Sequence, residues 1–160
     1  TKVARVGAAF GMDVVAWSQN LDAERADGLG VRAVSKDELF STADVVTIHY
    51  KLSDRSRGLV GAAELEAMKP DGILVNTSRA GLVDTDALIT VLEAGGIRGA
   101  GLDVHDEEPL PVDHRLRSTP RTVLTPHLGY VTEDTYRISS TQAVEDIAAW
   151  ISGEPIRVIG

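Results

Sequence analysis

The chain contains no cysteine. That excludes a disulfide framework and thiolate chemistry, and it fits a reducing, cytoplasmic compartment. No run approaches the ~18 apolar residues of a membrane span, and no charged n-region with an apolar h-region occurs. A membrane partner is therefore not expected. Positive charge is scarce: Lys and Arg total 16 against 24 Asp and Glu, for a net charge of −8. This argues against nucleic acid or an anionic lipid surface as a partner. Internal repeats and low-complexity tracts are absent. The four histidines lie far apart and form no paired helical motif, so no metal site is expected. What remains is one domain's worth of chain, 160 residues, with 43% hydrophobic and 25% charged residues, enough to bury a core.

Short runs rich in β-branched residues alternate with longer helical patterns. Strands are expected over 14–17, 45–49, 73–76, 99–104 and 122–124. Helices are expected over 3–10, closed by Gly11, and over 35–42, opened by a capping box from Ser35 to Glu38. Residues 21–27 form a short helix or loop. Further helices run over 62–68, over 84–93 between an Asp84 cap and Gly95-Gly96, and over 133–151 between Thr132 and Gly153. Lys69-Pro70-Asp71-Gly72 is a turn, with proline presetting φ and glycine supplying φ > 0. Strands separated by helices imply βαβ units and a parallel sheet, and uniformly apolar strands imply helices on both faces. The expected fold is α/β, a doubly wound parallel sheet of Rossmann type. A barrel needs eight such units.

In open α/β sheets, ligands bind beyond the carboxyl ends of the strands. Those ends here carry Ser18-Gln19-Asn20, His49-Tyr50-Lys51, Thr77-Ser78-Arg79, Asp103 and His127. Each has a plainer reading. Arg79 could be a surface arginine, His127 and His49 structural histidines, and Asp103 the cap of a turn. Asp106 and Glu107 read as a solvated turn, Asp113, His114 and Arg115 as a solvated loop, and Trp17 and Trp150 as core. Together, though, the strand ends form a constellation suited to carbonyl reduction. An imidazole titrates near neutral pH and can pass a proton, and a carboxylate beside it fixes its tautomer. An arginine can grip a substrate carboxylate through two hydrogen bonds. The hydride must come from a cofactor. Arg79, Glu108 and His127 thus suit a 2-oxo acid.

Three stretches carry a resemblance: Val75-Asn76-Thr77-Ser78-Arg79-Ala80-Gly81, Gly101-Leu102-Asp103-Val104 through Glu108-Pro109-Leu110, and Thr125-Pro126-His127-Leu128-Gly129. In order and spacing the chain resembles the D-isomer-specific 2-hydroxyacid dehydrogenases, near members related to phosphoglycerate and glyoxylate/hydroxypyruvate reductases. The resemblance implies that Arg79 binds the substrate's carboxylate and carbonyl, that His127 donates and accepts the proton, and that Glu108 is its partner. Formate dehydrogenases of the same fold have glutamine as that partner, so Glu108 argues for a hydroxy acid. Asp103 would contact the nicotinamide carboxamide. Thr77 and Ser78 would line the nicotinamide side, with Arg79, His127 and Gly129 adjoining it. Tyr50, Lys51 and Ser56 would lie toward the adenosine and pyrophosphate. The implied organisation is a dinucleotide-binding domain over 1–127, with 128–160 a crossover helix returning to the substrate domain. A homodimer is the family expectation.

The sequence departs from the family pattern in three places. The glycine-rich G-x-G-x-x-G loop and the strand before it do not occur, and the chain starts at what resembles the following helix. The expectation is a fragment of a chain about twice as long, inactive alone, whose sheet lacks a central strand and exposes the edges of two neighbours. Where NAD-specific members place an aspartate on the ribose, Ser18 stands, followed by Gln19 and Asn20. No carboxylate there repels a 2′-phosphate and no arginine attracts one, so the cofactor is NAD or NADP, with NADP or dual use favoured. Lys51 stands where many members have proline. A non-catalytic dinucleotide sensor like the C-terminal binding protein corepressors would keep the same triad and is the alternative of a different class. Another oxyacid, such as phosphite, is a third.

Overall fold

Four parallel strands organise the core of the computed structural model, which describes residues 2–159. They are β3 (Val45–Ile48), β4 (Ile73–Asn76), β5 (Gly99–Leu102) and β6 (Thr122–Leu124), hydrogen-bonded in that order. The register aligns Val46 with Leu74 and Ala100, and Ile48 with Asn76 and Leu102. Two shorter strands, β1 (Val15–Ala16) and β2 (Arg32–Ala33), pair in parallel as a separate sheet. The sheet is thus interrupted between β1 and β3 among the described residues, as expected. The chain divides into two compact units, 1–126 and 127–160.

The helices of the first unit are α1 (Lys2–Ala9), α2 (Ala23–Gly28), α3 (Lys36–Thr42), α4 (Ala62–Ala67) and α5 (Thr85–Ala94). Leu65 of α4 and Leu88, Ile89 and Leu92 of α5 join Val46, Ile48, Leu74, Ala100 and Leu102 in one buried cluster with Phe40 of α3. Burying side chains of this size stabilises by about 2 kcal/mol each. The opposite sheet face is more open: Val45 and Val123 are exposed, where the uniformly apolar strands predicted cover on both faces. Gly99 explains the small-residue strand β5. A Cβ there would stand 2.8 Å from the Arg121 carbonyl oxygen, so any larger residue would push β6 away.

Several local expectations are corrected. A sixth strand, β2, is present; two residues carry too little periodicity to announce it. Ser35 caps α3, accepting from the Glu38 N–H at 3.0 Å, but the Glu38 carboxylate turns to Arg32 (2.7 Å), so the capping box is half made. Gly72 does not have positive φ; it is required because a Cβ would meet the Lys69 carbonyl oxygen at 2.9 Å. Asp106 is not simply solvated, since it accepts from the Thr85 hydroxyl (2.6 Å) at the start of α5. His114 likewise accepts from the Leu116 N–H at 3.2 Å and caps a 3₁₀ turn. Asp84 and Gly95 bound α5 as expected.

The second unit is built on α6 (Glu133–Ile151), capped by the Thr132 hydroxyl, which accepts from the Thr135 N–H at 3.1 Å. Arg157, beyond the helix, donates to Glu145 (2.7 Å) and Asp146 (2.8 Å) and so folds the tail along α6. Trp150, expected in a core, is 74% exposed. Its position follows the helix periodicity, but the described residues supply nothing to cover it.

One partly buried ion pair joins α3 to α4. Lys36 Nζ lies 2.7 Å from Glu64 Oε1, while Glu64 Oε2 accepts from the Gly61 N–H at 2.8 Å. Burial pushes the Glu64 carboxyl up, but the Lys36 and Gly61 hydrogen bonds together outweigh it and hold the group below its ordinary value of 4.5. The folded-state value is depressed, so this stabilisation is complete above that pH and is lost as pH falls through the folded-state value. Glu64→Gln should therefore cost about 1 kcal/mol at neutral pH, and the cost should vanish in acid. Thermal unfolding of both proteins across that range checks it; a cost that persists in acid would show that the charge is not responsible.

Candidate active site at the strand ends

The loop after β4 is fixed from beneath. Asn76, the last residue of β4, is 1% exposed. Its Nδ2 donates to the Arg79 carbonyl (2.9 Å) and its Oδ1 accepts from the Ser78 N–H (3.0 Å). This Asx turn satisfies a buried amide at both ends and sets the backbone of residues 77–79. The Ser78 hydroxyl donates to the Ile48 carbonyl at 2.9 Å, tying the loop to β3. Thr77 and Arg79 face outward. The Arg79 guanidinium donates to the Ser78 carbonyl (2.6 Å) and forms no ion pair among the described residues.

The end of β5 is more closely knit. Asp103 is buried and its N–H donates to the Asn76 carbonyl at 3.0 Å. Asp103 Oδ1 accepts from the Thr125 hydroxyl at 2.5 Å. His105 is also buried; its backbone N–H donates to Glu108 Oε1 (2.9 Å), and its ring Nε2 lies 3.0 Å from the Thr125 carbonyl oxygen. The Glu108 carboxylate is therefore oriented by its own loop. Arg79, Asp103 and Glu108 all sit at one edge of the sheet, linked through Asn76, Thr125 and His105.

A second polar region lies at the ends of β1 and β3. The Trp17 and Tyr50 rings stack with centroids 6.3 Å apart at 15°, and the Lys36 ammonium stands 5.7 Å from the Trp17 ring. Trp17 is half-buried and packs in this stack rather than in the core. Ser18 is half-buried, and Gln19, Asn20 and Lys51 are exposed. Ser56 is only 2% exposed; its hydroxyl donates to the Lys51 carbonyl and accepts from the Ser53 N–H, both at 2.8 Å. Ser56 shapes this loop from inside. His49 pairs with the Thr47 hydroxyl at 3.1 Å.

His127 and Gly129 belong to the second unit. His127 has φ = 58°, a left-handed backbone uncommon for a side chain-bearing residue, and meets the Tyr130 ring edge-on at 5.8 Å. Such backbone costs on the order of 1 kcal/mol and gathers at functional sites. Three residues that organise the site, Asn76, Thr125 and His105, were not singled out from sequence. Asn76 had a signal, an asparagine at a strand end two residues before a serine, the spacing of an Asx turn. A lone histidine or threonine beside a strand has none.

A flat aromatic pair with neighbouring hydroxyl, amide and ammonium groups fits a dinucleotide; Ser18, Gln19, Asn20, Tyr50 and Lys51 supply that mixture at the ends of β1 and β3. With carboxylates and an arginine on the ends of the adjacent strands, this edge has the character of an α/β dinucleotide-binding fold. Comparison with known proteins agrees. Residues 1–129 match the family model of the D-isomer specific 2-hydroxyacid dehydrogenase NAD binding domain, and the chain belongs to that family. It is 38% identical over 154 residues to a glyoxylate reductase of Aeropyrum pernix, covering 96% of this chain and 46% of that protein. It is 39% identical over 155 residues to a D-3-phosphoglycerate dehydrogenase of Synechocystis, covering 97% of this chain and 28% of that one. The crystal structure of a phosphoglycerate oxidoreductase from Vibrio cholerae superposes with a TM-score of 0.89 at 40% identity, covering 95% of this chain and 49% of that one. The chain thus spans half or less of the length of these relatives.

Proposed function

We propose that the protein carrying this chain transfers a hydride between NAD(P)H and the carbonyl carbon of a 2-oxo acid, in equilibrium with the D-2-hydroxy acid. The observation that carries the reading is Arg79: a guanidinium with no counter-charge among the described residues, exposed at the strand edge on a loop whose backbone is fixed by a buried asparagine. A cation left unneutralised on a rigid support suits an anionic substrate. The two nitrogens of its fork take up the substrate carboxylate. His127 holds the proton at the ring nitrogen facing the carbonyl oxygen and delivers it as the oxygen gains charge. Glu108 stabilises the imidazolium and fixes its tautomer. The bound nicotinamide supplies or accepts the hydride.

Asp103 serves the carboxamide end of the cofactor and Thr77 and Ser78 the nicotinamide side; Tyr50 and Lys51 serve the adenosine and pyrophosphate end, where Ser56 acts by holding the Lys51 carbonyl. Ser18, with Gln19 and Asn20, leaves the adenosine ribose without a carboxylate, which favours NADP or dual use. The test is a panel of glyoxylate, hydroxypyruvate, pyruvate and bulkier 2-oxo acids, each with NADH and NADPH, using the full-length protein. Turnover with at least one acid is expected, with kcat/KM for NADPH above that for NADH or within about tenfold of it. A strong NAD preference overturns the cofactor assignment, and silence on every acid overturns the function.

A further inference from the structure

Among the described residues, only one buried side-chain nitrogen or oxygen lacks a hydrogen-bond partner: Nδ1 of His105. The other ring nitrogen is engaged. A carbonyl oxygen only accepts, so the 3.0 Å contact between Nε2 and the Thr125 oxygen requires the proton on Nε2. Nδ1 is left buried without a hydrogen-bond partner among the described residues. An unsatisfied buried polar atom is costly, and a phenylalanine would fill the space without it. What the imidazole offers and a phenylalanine would not is the Nε2 donor.

What it holds is Thr125. All three polar groups of Thr125 are engaged by β5 and the loop after it. Its N–H donates to the Leu102 carbonyl (3.0 Å), its hydroxyl to Asp103 (2.5 Å), and its carbonyl accepts from His105. Thr125 lies two residues before His127. The backbone N–H of His105 meanwhile holds Glu108 Oε1 at 2.9 Å. One residue therefore grips the carboxylate with its backbone and, with its ring, the strand end that leads to the histidine.

We infer that His105 is a positioning residue for the acid–base pair: its backbone orients Glu108, and its ring tethers the Thr125 carbonyl in the strand end that leads to His127. This rests on the reading of Glu108 and His127 as that pair. The backbone N–H survives any substitution, so the ring can be tested separately. In the full-length protein, His105→Phe keeps the volume and removes the donor, and His105→Gln offers an amide N–H to Thr125.

The expected result for His105→Phe is a fall in kcat of about tenfold, since small misplacements of reacting groups are costly. The cofactor KM should stay within about twofold, and His105→Gln should recover most of the loss. If His105→Phe does not fold, His105→Asn, too short to reach Thr125, gives the same comparison. Unchanged kcat in the donor-less variant, or equal losses without rescue by glutamine, overturns the positioning role. A wild-type protein silent on every 2-oxo acid defeats the functional reading instead. The tether has its own readout: nitrogen NMR of the full-length protein labelled in histidine should show His105 protonated at Nε2, and an unprotonated Nε2 would overturn it.

Discussion

His127→Gln in the full-length protein should lower kcat by about 10²- to 10⁴-fold, the range a positioned acid–base group contributes. The substitution keeps a hydrogen-bonding side chain of similar reach but removes the imidazole proposed to pass the proton. Cofactor affinity should change little, because the aromatic pair Trp17–Tyr50 and the polar ends of β1 and β3 lie on other segments. The left-handed backbone at His127 is a reason to choose glutamine over a β-branched residue, which would add strain at φ = 58°. Steady-state kinetics with cofactor binding measured on the same preparation separates the two effects. A variant with near-normal kcat would remove His127 from the proton path.

Arg79→Ala should lower kcat/KM by roughly 100-fold, equivalent to about 3 kcal/mol for two charge-assisted hydrogen bonds. Arg79→Lys should fall between, because it keeps the charge and loses the fork. The fold should tolerate both. The Arg79 side chain is exposed and, among the described residues, bonds only to a neighbouring carbonyl, while the loop is held by Asn76 and Ser78. Melting temperatures that match the parent, with losses ordered alanine beyond lysine, are the expected pattern. Equal kinetics for all three would place the substrate carboxylate elsewhere.

The parts of this molecule that were legible in sequence are those written in local chemistry. Ser35, Asp84 and Thr132 announce helix starts because a short oxygen-bearing side chain can accept from the helix's free N–H groups. Strands β3 to β6 announce themselves as apolar runs between turns. What stayed hidden depends on partners distant in sequence. Glu38 completes no capping box because Arg32 competes for it, and Asp106, though exposed, has a protein partner because Thr85 reaches it. Arg32 and Ala33 pair with β1 as a strand too short to carry a period. Trp150 is hydrophobic and on a helix, which says core, yet burial depends on a covering surface that composition cannot supply.

The site divides in the same way. Arg79, Asp103, Glu108 and His127 stand out as candidates because their residue types, on and after strand ends, match the one chemistry proposed for them. Their supports do not. Asn76 is buried and polar, and only the geometry shows that it braces the arginine loop from both ends of its amide. His105 follows Asp103 by two residues in an acidic stretch, and nothing in that stretch signals that its ring reaches 20 residues on to Thr125. The stretch from Gly101 to Pro111 therefore carries more than two carboxylates: it also carries the histidine that connects them to the next strand.

Hydride transfer is the central claim, and isotope transfer tests it most directly. The full-length protein is given a 2-oxo acid that it consumes and a reduced nicotinamide cofactor deuterated at the transferring position, and the product is examined by mass spectrometry and chiral chromatography. The account predicts one face of the labelled cofactor to deliver a single deuterium to the carbon beside the carboxylate, in a hydroxy acid of D configuration. Product without deuterium from either face, or no consumption of any 2-oxo acid by protein that binds the cofactor, would contradict it.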